Sequence, residues 1–394
     1  MLHLSVCIRV DPWSIICGGL LRGAFFGDFM LSLNGFARKW KLDSSPLEPV
    51  VREYPFRLNS YFEGLIRSAG DAVWSQVVPD TKEISDTSGF EDPLCEEGLA
   101  PVPNLVHRYP NRVLWLVSDQ CAVHCRFCTR KRKWPGGHWP ALATEAPPDL
   151  APALDYIARN EQIHDVLLSG GDPLLLALEH LREILSRLRE IKHVQIIRIG
   201  SRVPCALPQW ITPELAAMLA EFHPLFINIH FNHPAELTAD SQRACAILAD
   251  AGIPLGSQTV LLRGVNDDEA VLAELFHRLL SFRVRPYYLM QMDLARSTAH
   301  FRTPISTGLR ILRKLRNRIS GPAMPHFVVD LPGGRGKIPL LPNMIREIGS
   351  GRMIVQNYLG ELCHYPLLDG EEQGLRAEVE WRMEGGGGRG PEVG

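Results

Sequence analysis

At 394 residues, 45% of them hydrophobic and 22% charged, the chain is long enough to bury a large core and has the composition of an ordinary globular protein. A formal net charge of -2 gives no global electrostatic case for nucleic acid or an anionic membrane as partner. Nine cysteines, an odd number with three clustered, fit a reducing cytoplasm better than a disulfide framework.

Residues 13–33 are apolar enough to suggest a signal or membrane segment, but Arg22 and Asp28 interrupt the run. A spanning helix needs about 20 mostly uncharged residues, so residues 1–35 read as an N-terminal extension or docking segment. Residues 36–106 mix helical patches with prolines and read as a segment that wraps the rest. From 107 to 320 a rhythm takes over. Short aliphatic runs at 113–117, 166–168, 195–199, 225–230, 255–262 and 285–291 alternate with amphipathic stretches at 148–159, 178–191, 212–222, 239–251, 268–281 and 307–319. Such alternation predicts parallel strands joined by right-handed crossovers, in a doubly wound sheet or an incompletely closed barrel, with 327–330 as a further strand. Residues 321–366 form a C-terminal segment, and 367–394 end in a glycine-rich tail expected to be flexible.

Either architecture places ligands at the carboxyl ends of the strands. After the first strand comes Cys121-x3-Cys125-x2-Cys128, three thiols and one ligand short of a closed metal site. That spacing suits a [4Fe–4S] cluster with one iron left open for S-adenosylmethionine (SAM). The competing reading is a structural zinc module that takes a fourth ligand elsewhere, such as His124. The loop continues through Arg126, Arg130, Lys131, Arg132 and Lys133, cations suited to carboxylate capture or merely a solvated rim. After the second strand, Ser169-Gly170-Gly171-Asp172 offers backbone unobstructed by side chains. Lys337, in Gly-Gly-Arg-Gly-Lys, sits on a Gly/Pro frame where its amine can form a Schiff base with an aldehyde cofactor. Ile338 after the lysine breaks the phosphate-loop pattern, so no nucleotide triphosphatase is implied. Arg108 and Arg112 flank the first strand, where cations can bind a cofactor phosphate or remain solvated.

Taken together, Cys-x3-Cys-x2-Cys-Thr-Arg, Ser-Gly-Gly-Asp-Pro, Ile-Gly-Ser-Arg-Val-Pro at 199–204, Asn-Ile-His-Phe-Asn-His-Pro at 228–234, His-Phe-Arg-Thr-Pro at 300–304 and the 330–339 motif around Lys337 resemble the lysine 2,3-aminomutase family. The resemblance runs from about residue 52 to 358. It implies an α/β fold, a partial (β/α)6-type TIM barrel with an N-terminal wrapping segment and a short C-terminal extension. It also implies an isomerase that carries [4Fe–4S], SAM and pyridoxal 5′-phosphate (PLP). By that resemblance Cys121, Cys125 and Cys128 hold the cluster, and Lys337 holds PLP. Arg108, Tyr109 and Arg112 match the family's PLP contacts, while Phe127, Ser169, Gly170, Gly171, Asp172 and Gln258 match the SAM side. Arg130 matches the arginine that pairs with the substrate carboxylate, and Asp293 and Asp330 match the acidic pair that holds a distal ammonium.

The expected reaction moves the α-amino group of L-lysine to C3. Two carboxylates facing one distal cation disfavour glutamate but leave arginine open. A lysine-modifying activity on elongation factor P is a minor alternative. The implied partners are the amino acid and a reductant such as flavodoxin or ferredoxin, in the cytoplasm, with a homo-oligomer left open. The region beyond 360 holds only Cys363, so the family's C-terminal zinc cluster is not expected here.

Overall fold

The computed structural model describes residues 30–134, 149–357 and 359–376. The bulk of the apolar 13–33 stretch, the first residue of the expected 148–159 helix and the glycine-rich end of the tail lie outside the described residues. Strands β1 (Met30–Leu31) and β2 (Leu58–Asn59) pair in a small antiparallel ribbon. A nine-stranded sheet follows, in the order β11-β10-β9-β8-β7-β6-β5-β4-β3. Its members are β3 (Leu105–Tyr109), β4 (Arg112–Ser118), β5 (Asp165–Gly170), β6 (Ile196–Ser201), β7 (Leu225–Ile229), β8 (Leu255–Leu261), β9 (Val284–Gln291), β10 (His326–Asp330) and β11 (Lys337–Pro339).

From β4 to β10 every neighbouring pair is parallel. Strand order follows chain order with no reversal, so of the two expected windings this is the barrel type. Antiparallel β3 and β11 cap the two ends, and neither was expected as a strand. The sheet curls far enough for side chains at its two ends to touch. The Lys337 N–H on β11 donates to Tyr109 Oη on β3 at 2.8 Å, and Arg108 reaches Asp330.

Helices Ala151–Arg159, Leu178–Glu190, Pro213–Ala220, Ala239–Asp250, Glu269–Ser281 and Ile305–Leu315 connect the strands, close to the expected positions. Side-chain caps set several of their starts: Thr212, Thr238 and Asp268 each accept from first-turn backbone N–H groups. Within β8, buried Leu255, Ser257, Thr259 and Leu261 alternate with less buried Gly256, Gln258 and Val260. The buried set faces the helices. The other set, Gln258 included, lines the hollow of the half-barrel.

The wrapping segment is tied to the cysteine loop by main-chain hydrogen bonds. His124 N–H donates to Arg57 O and Arg126 N–H to Gln76 O, both at 2.8 Å. Phe36, Phe56 and Trp74 pack as an aromatic nest beneath it, with ring centroids 5.2–5.6 Å from Phe36. Strands β12 (Ile345–Gly349), β13 (Arg352–Gln356) and β14 (Leu362–Pro366) form a separate antiparallel sheet at the C-terminal end. Among the described residues no helix is long and apolar enough to cross a membrane.

Candidate active site

The carboxyl ends of the strands converge as the winding requires. Ser118 ends β4 and leads into the cysteine loop, Gly170 ends β5, Ser201 ends β6, and Asp330 ends β10. A pocket opens between the ends of β4 and β5 and the cysteine loop, lined by Leu116, Asp119, Cys121, Cys128, Arg130 and Gly171 among others.

Three half-buried thiols share this corner. Burial pushes the Cys128 thiol up to about 11, with Cys125 adding to the shift, and raises Cys121 further, with both other cysteines contributing. Three thiols converging at one strand end, with no fourth protein ligand beside them among the described residues, fit an iron–sulfur cluster with one position open. The zinc alternative loses its proposed fourth ligand. His124 stacks on Trp134 at 4.1 Å, and its Nδ1 faces Pro55 O at 2.8 Å. Among the described residues no group of three His, Cys, Asp or Glu side chains is set to hold a single metal ion.

The basic run is not a solvated rim. Arg126 is 1% exposed and donates to both carboxylate oxygens of Glu83, which also receives Lys131 at 2.6 Å. Arg132 and Lys133 pair with Glu97. Arg130 is gripped through Nε and Nη2 by the buried Glu96, so that its Nη1 is left toward Ser169 and the cavity. Burial alone would raise the Glu96 carboxyl. Arg130, Lys133 and Arg132 outweigh burial and hold it at about 2.

Gly170 has φ +123, and a Cβ there would lie 2.2 Å from Ser118 O, so only glycine lets β5 close against the start of the cysteine loop. Asp172 is spent internally. It accepts from the Arg202 and Val203 N–H groups and from Ser201 Oγ, and burial pushes its carboxyl up to about 6. Phe127 packs edge-on against His230, whose buried Nε2 has no hydrogen-bond partner. That orphan atom, on a ring packed against Phe127 of the cysteine loop, fits a polar ligand such as SAM.

On the opposite wall, Asp330 and Lys337 are register partners across β10 and β11, and their side chains form an ion pair. Gly334, at φ +74, leaves no room for a Cβ against Leu99, which fixes the turn that delivers Lys337. Arg108 donates to Asp330 at 2.7 Å, and so it faces the acidic pair. Arg112 is exposed and stacks at 4.1 Å over the Tyr109 ring. An accessible lysine amine beside an exposed guanidinium fits an aldehyde cofactor that carries a phosphate. Asp293, after β9, is pushed up to about 7, first by burial and then by the Asp330 carboxylate.

Sequence reasoning left Glu83, Glu96, Arg202 and His230 without roles. Arg202 and His230 stand inside motifs already quoted, and their positions at strand ends were the available signal. Glu83 and Glu96 pair with residues 43 and 34 positions away, for which no local pattern exists.

A three-thiol loop at the carboxyl mouth of a curled, singly wound α/β sheet defines a radical SAM enzyme. Residues 115–276 match the family model described as the Radical SAM superfamily, and residues 312–380 match that described as Lysine-2,3-aminomutase. The chain is 47% identical over 318 residues to the L-lysine 2,3-aminomutase of Clostridium subterminale, covering 80% of this chain and 76% of the relative. With that of Acetoanaerobium sticklandii it shares 49% over 311 residues, 78% and 74% of the two chains. The glutamate 2,3-aminomutase of Clostridioides difficile is 38% identical over 324 residues, 82% and 76% of the two chains. The chain belongs to the lysine 2,3-aminomutase family.

Proposed function

We propose that the protein moves the α-amino group of L-lysine to C3, giving β-lysine. The observation that carries this reading is the Asp293/Asp330 pair beside Lys337. Lys337 pairs with Asp330, and bonding to an aldehyde cofactor would engage its nitrogen away from that carboxylate. A substrate with a distal ammonium restores the balance, whereas a distal carboxylate meets repulsion. A guanidinium would satisfy the same carboxylates, which makes arginine the competing substrate.

When bound, the cluster with SAM supplies the radical that takes a hydrogen from C3, and PLP supplies the electron delocalisation that lets nitrogen migrate. Cys121, Cys125 and Cys128 would hold the cluster; Phe127, His230, Gln258 and the Ser169–Asp172 turn would border SAM. Lys337 would hold PLP, with Tyr109 and Arg112 beside it. Arg130, oriented by Glu96, binds the substrate carboxylate and turns C3 toward the cluster wall. The curled sheet and the wrapping segment exclude water from the radicals. A low-potential donor such as flavodoxin or ferredoxin would supply the electron, in a reducing cytoplasm.

Anaerobic reconstitution with iron, sulfide and PLP tests this reading. The expected protein is brown, shows a visible PLP band that Lys337→Ala lacks, and forms β-lysine from lysine with SAM and reductant. A colourless protein that retains stoichiometric zinc through the same treatment would contradict it.

A further inference from the structure

Beyond the basic run, the end of β6 delivers another cation to the cysteine loop. Arg202 is 8% exposed, and its guanidinium lies between the rings of Phe62 and Phe127, 5.1 and 5.4 Å from their centroids. Its backbone N–H is fixed on Asp172 at 2.6 Å. Nη2 donates to Gln76 Oε1 at 2.7 Å and to Glu236 Oε1 at 3.2 Å. Glu236 is itself wholly buried, held by Gln76 Nε2 at 2.7 Å and the Asn232 N–H at 2.8 Å. The hydrogen bonds to Asp172, Gln76 and Glu236 all come from outside the cysteine loop. Nη1 is then aimed at Cys125 Sγ, at 2.6 Å.

We propose that Arg202 sets the electron affinity of the iron–sulfur cluster through the Cys125 sulfur, with Glu236 behind it as the opposing charge. This rests on the reading of Cys121, Cys125 and Cys128 as cluster ligands. Reduction adds one electron, from a low-potential one-electron donor, and makes or breaks no bond. A buried cation that donates to a ligand sulfur stabilises the more negative, reduced cluster more than the oxidised one. Burial keeps that field from being screened by salt. Glu236 partly cancels the same field, so the two residues act with opposite signs. Arg202 is a positioning residue here, distinct from the thiols and from Arg130.

The test uses the full chain reconstituted with iron and sulfide, without SAM, as wild type, Arg202→Gln, Arg202→Lys and Glu236→Gln. Iron content is measured first, and then the cluster's midpoint potential by EPR-monitored titration. For Arg202→Gln the ratio of reduced to oxidised cluster at a fixed applied potential should fall about tenfold, a shift of about 59 mV for one electron. Arg202→Lys should recover part of it, and Glu236→Gln should move the potential upward. Full iron content with a wild-type potential in both glutamine variants, or shifts of the same sign, would overturn the proposal. If Arg202→Gln cannot keep the cluster, Glu236→Gln decides alone: a rise supports the proposal, and no change or a fall overturns it. A wild-type chain that takes up no iron would instead sink the cluster assignment, and this inference with it.

Discussion

The cluster wall and the Lys337 wall handle charge in opposite ways. In the cysteine loop the cations are already matched by carboxylates: Arg126 and Lys131 by Glu83, Arg130 by Glu96, Arg132 and Lys133 by Glu97. At the ends of β9 and β10, Asp330 relies on Arg108 and Lys337, while Asp293 stands close enough to Asp330 to be pushed up to about 7. The first wall's cations are paired within the protein, whereas the second wall's balance depends on Lys337, the residue that would bond the cofactor. Rigid placement suits a radical source, which must hold its cluster in one geometry. An unfinished charge balance suits a binding pocket, because the energy of closing it becomes available only when the right substrate arrives.

The largest effects should separate the two walls outright. Cys128→Ala should abolish β-amino acid formation and iron uptake while the PLP band persists; Lys337→Ala should abolish activity and the PLP band while iron stays. Loss of both signatures in either variant would mean that the walls are not independent. Glu83→Gln leaves Arg126 and Lys131 buried with a neutral partner and should cost about 3–5 kcal/mol of stability, measured by denaturant unfolding. A cost under about 1 kcal/mol would break the claim that the cluster wall is pre-set by buried ion pairs.

On the other wall, Asp330→Asn should raise the KM for lysine about 30- to 700-fold, the equivalent of about 2–4 kcal/mol at a buried charged contact. Its unfolding free energy should change far less than that of Glu83→Gln. The smallest effect is one of pH. A carboxyl raised to about 7 is neutral below that pH and anionic above it, so Asp293 attracts a distal ammonium only as pH rises through about 7. The kcat/KM for lysine should therefore fall by up to about tenfold per pH unit below 7. Asp293→Asn should flatten that limb, and an unchanged slope in the variant would assign the ionisation elsewhere.

What could be read from the sequence follows from how local each signal is. The parallel strands and their helices were legible because each carries its own periodicity, as in the alternation of β8. The edge strands β3 and β11 were not. Leu105–Tyr109 becomes a strand through pairing with β4, and Lys337–Pro339 through pairing with β10; each lies outside the strand–helix alternation that marks the others. The cysteine triad and Lys337 were legible because spacing and turn residues carry their chemistry. The sequence leaves Arg108 between a cofactor phosphate and solvent and gives no sign of its contact with Asp330, 222 positions away. The basic run likewise shows no sign in sequence of the carboxylates that bury it.

On the proposed reading a distal ammonium completes the Asp293/Asp330 pocket. An amino acid panel under turnover conditions, with lysine, arginine, ornithine and glutamate each supplied to the reconstituted enzyme with SAM and reductant, tests it most directly. The account predicts that lysine is rearranged with the highest kcat/KM and that glutamate gives no product. Rearrangement of arginine alone, or of glutamate, would contradict it.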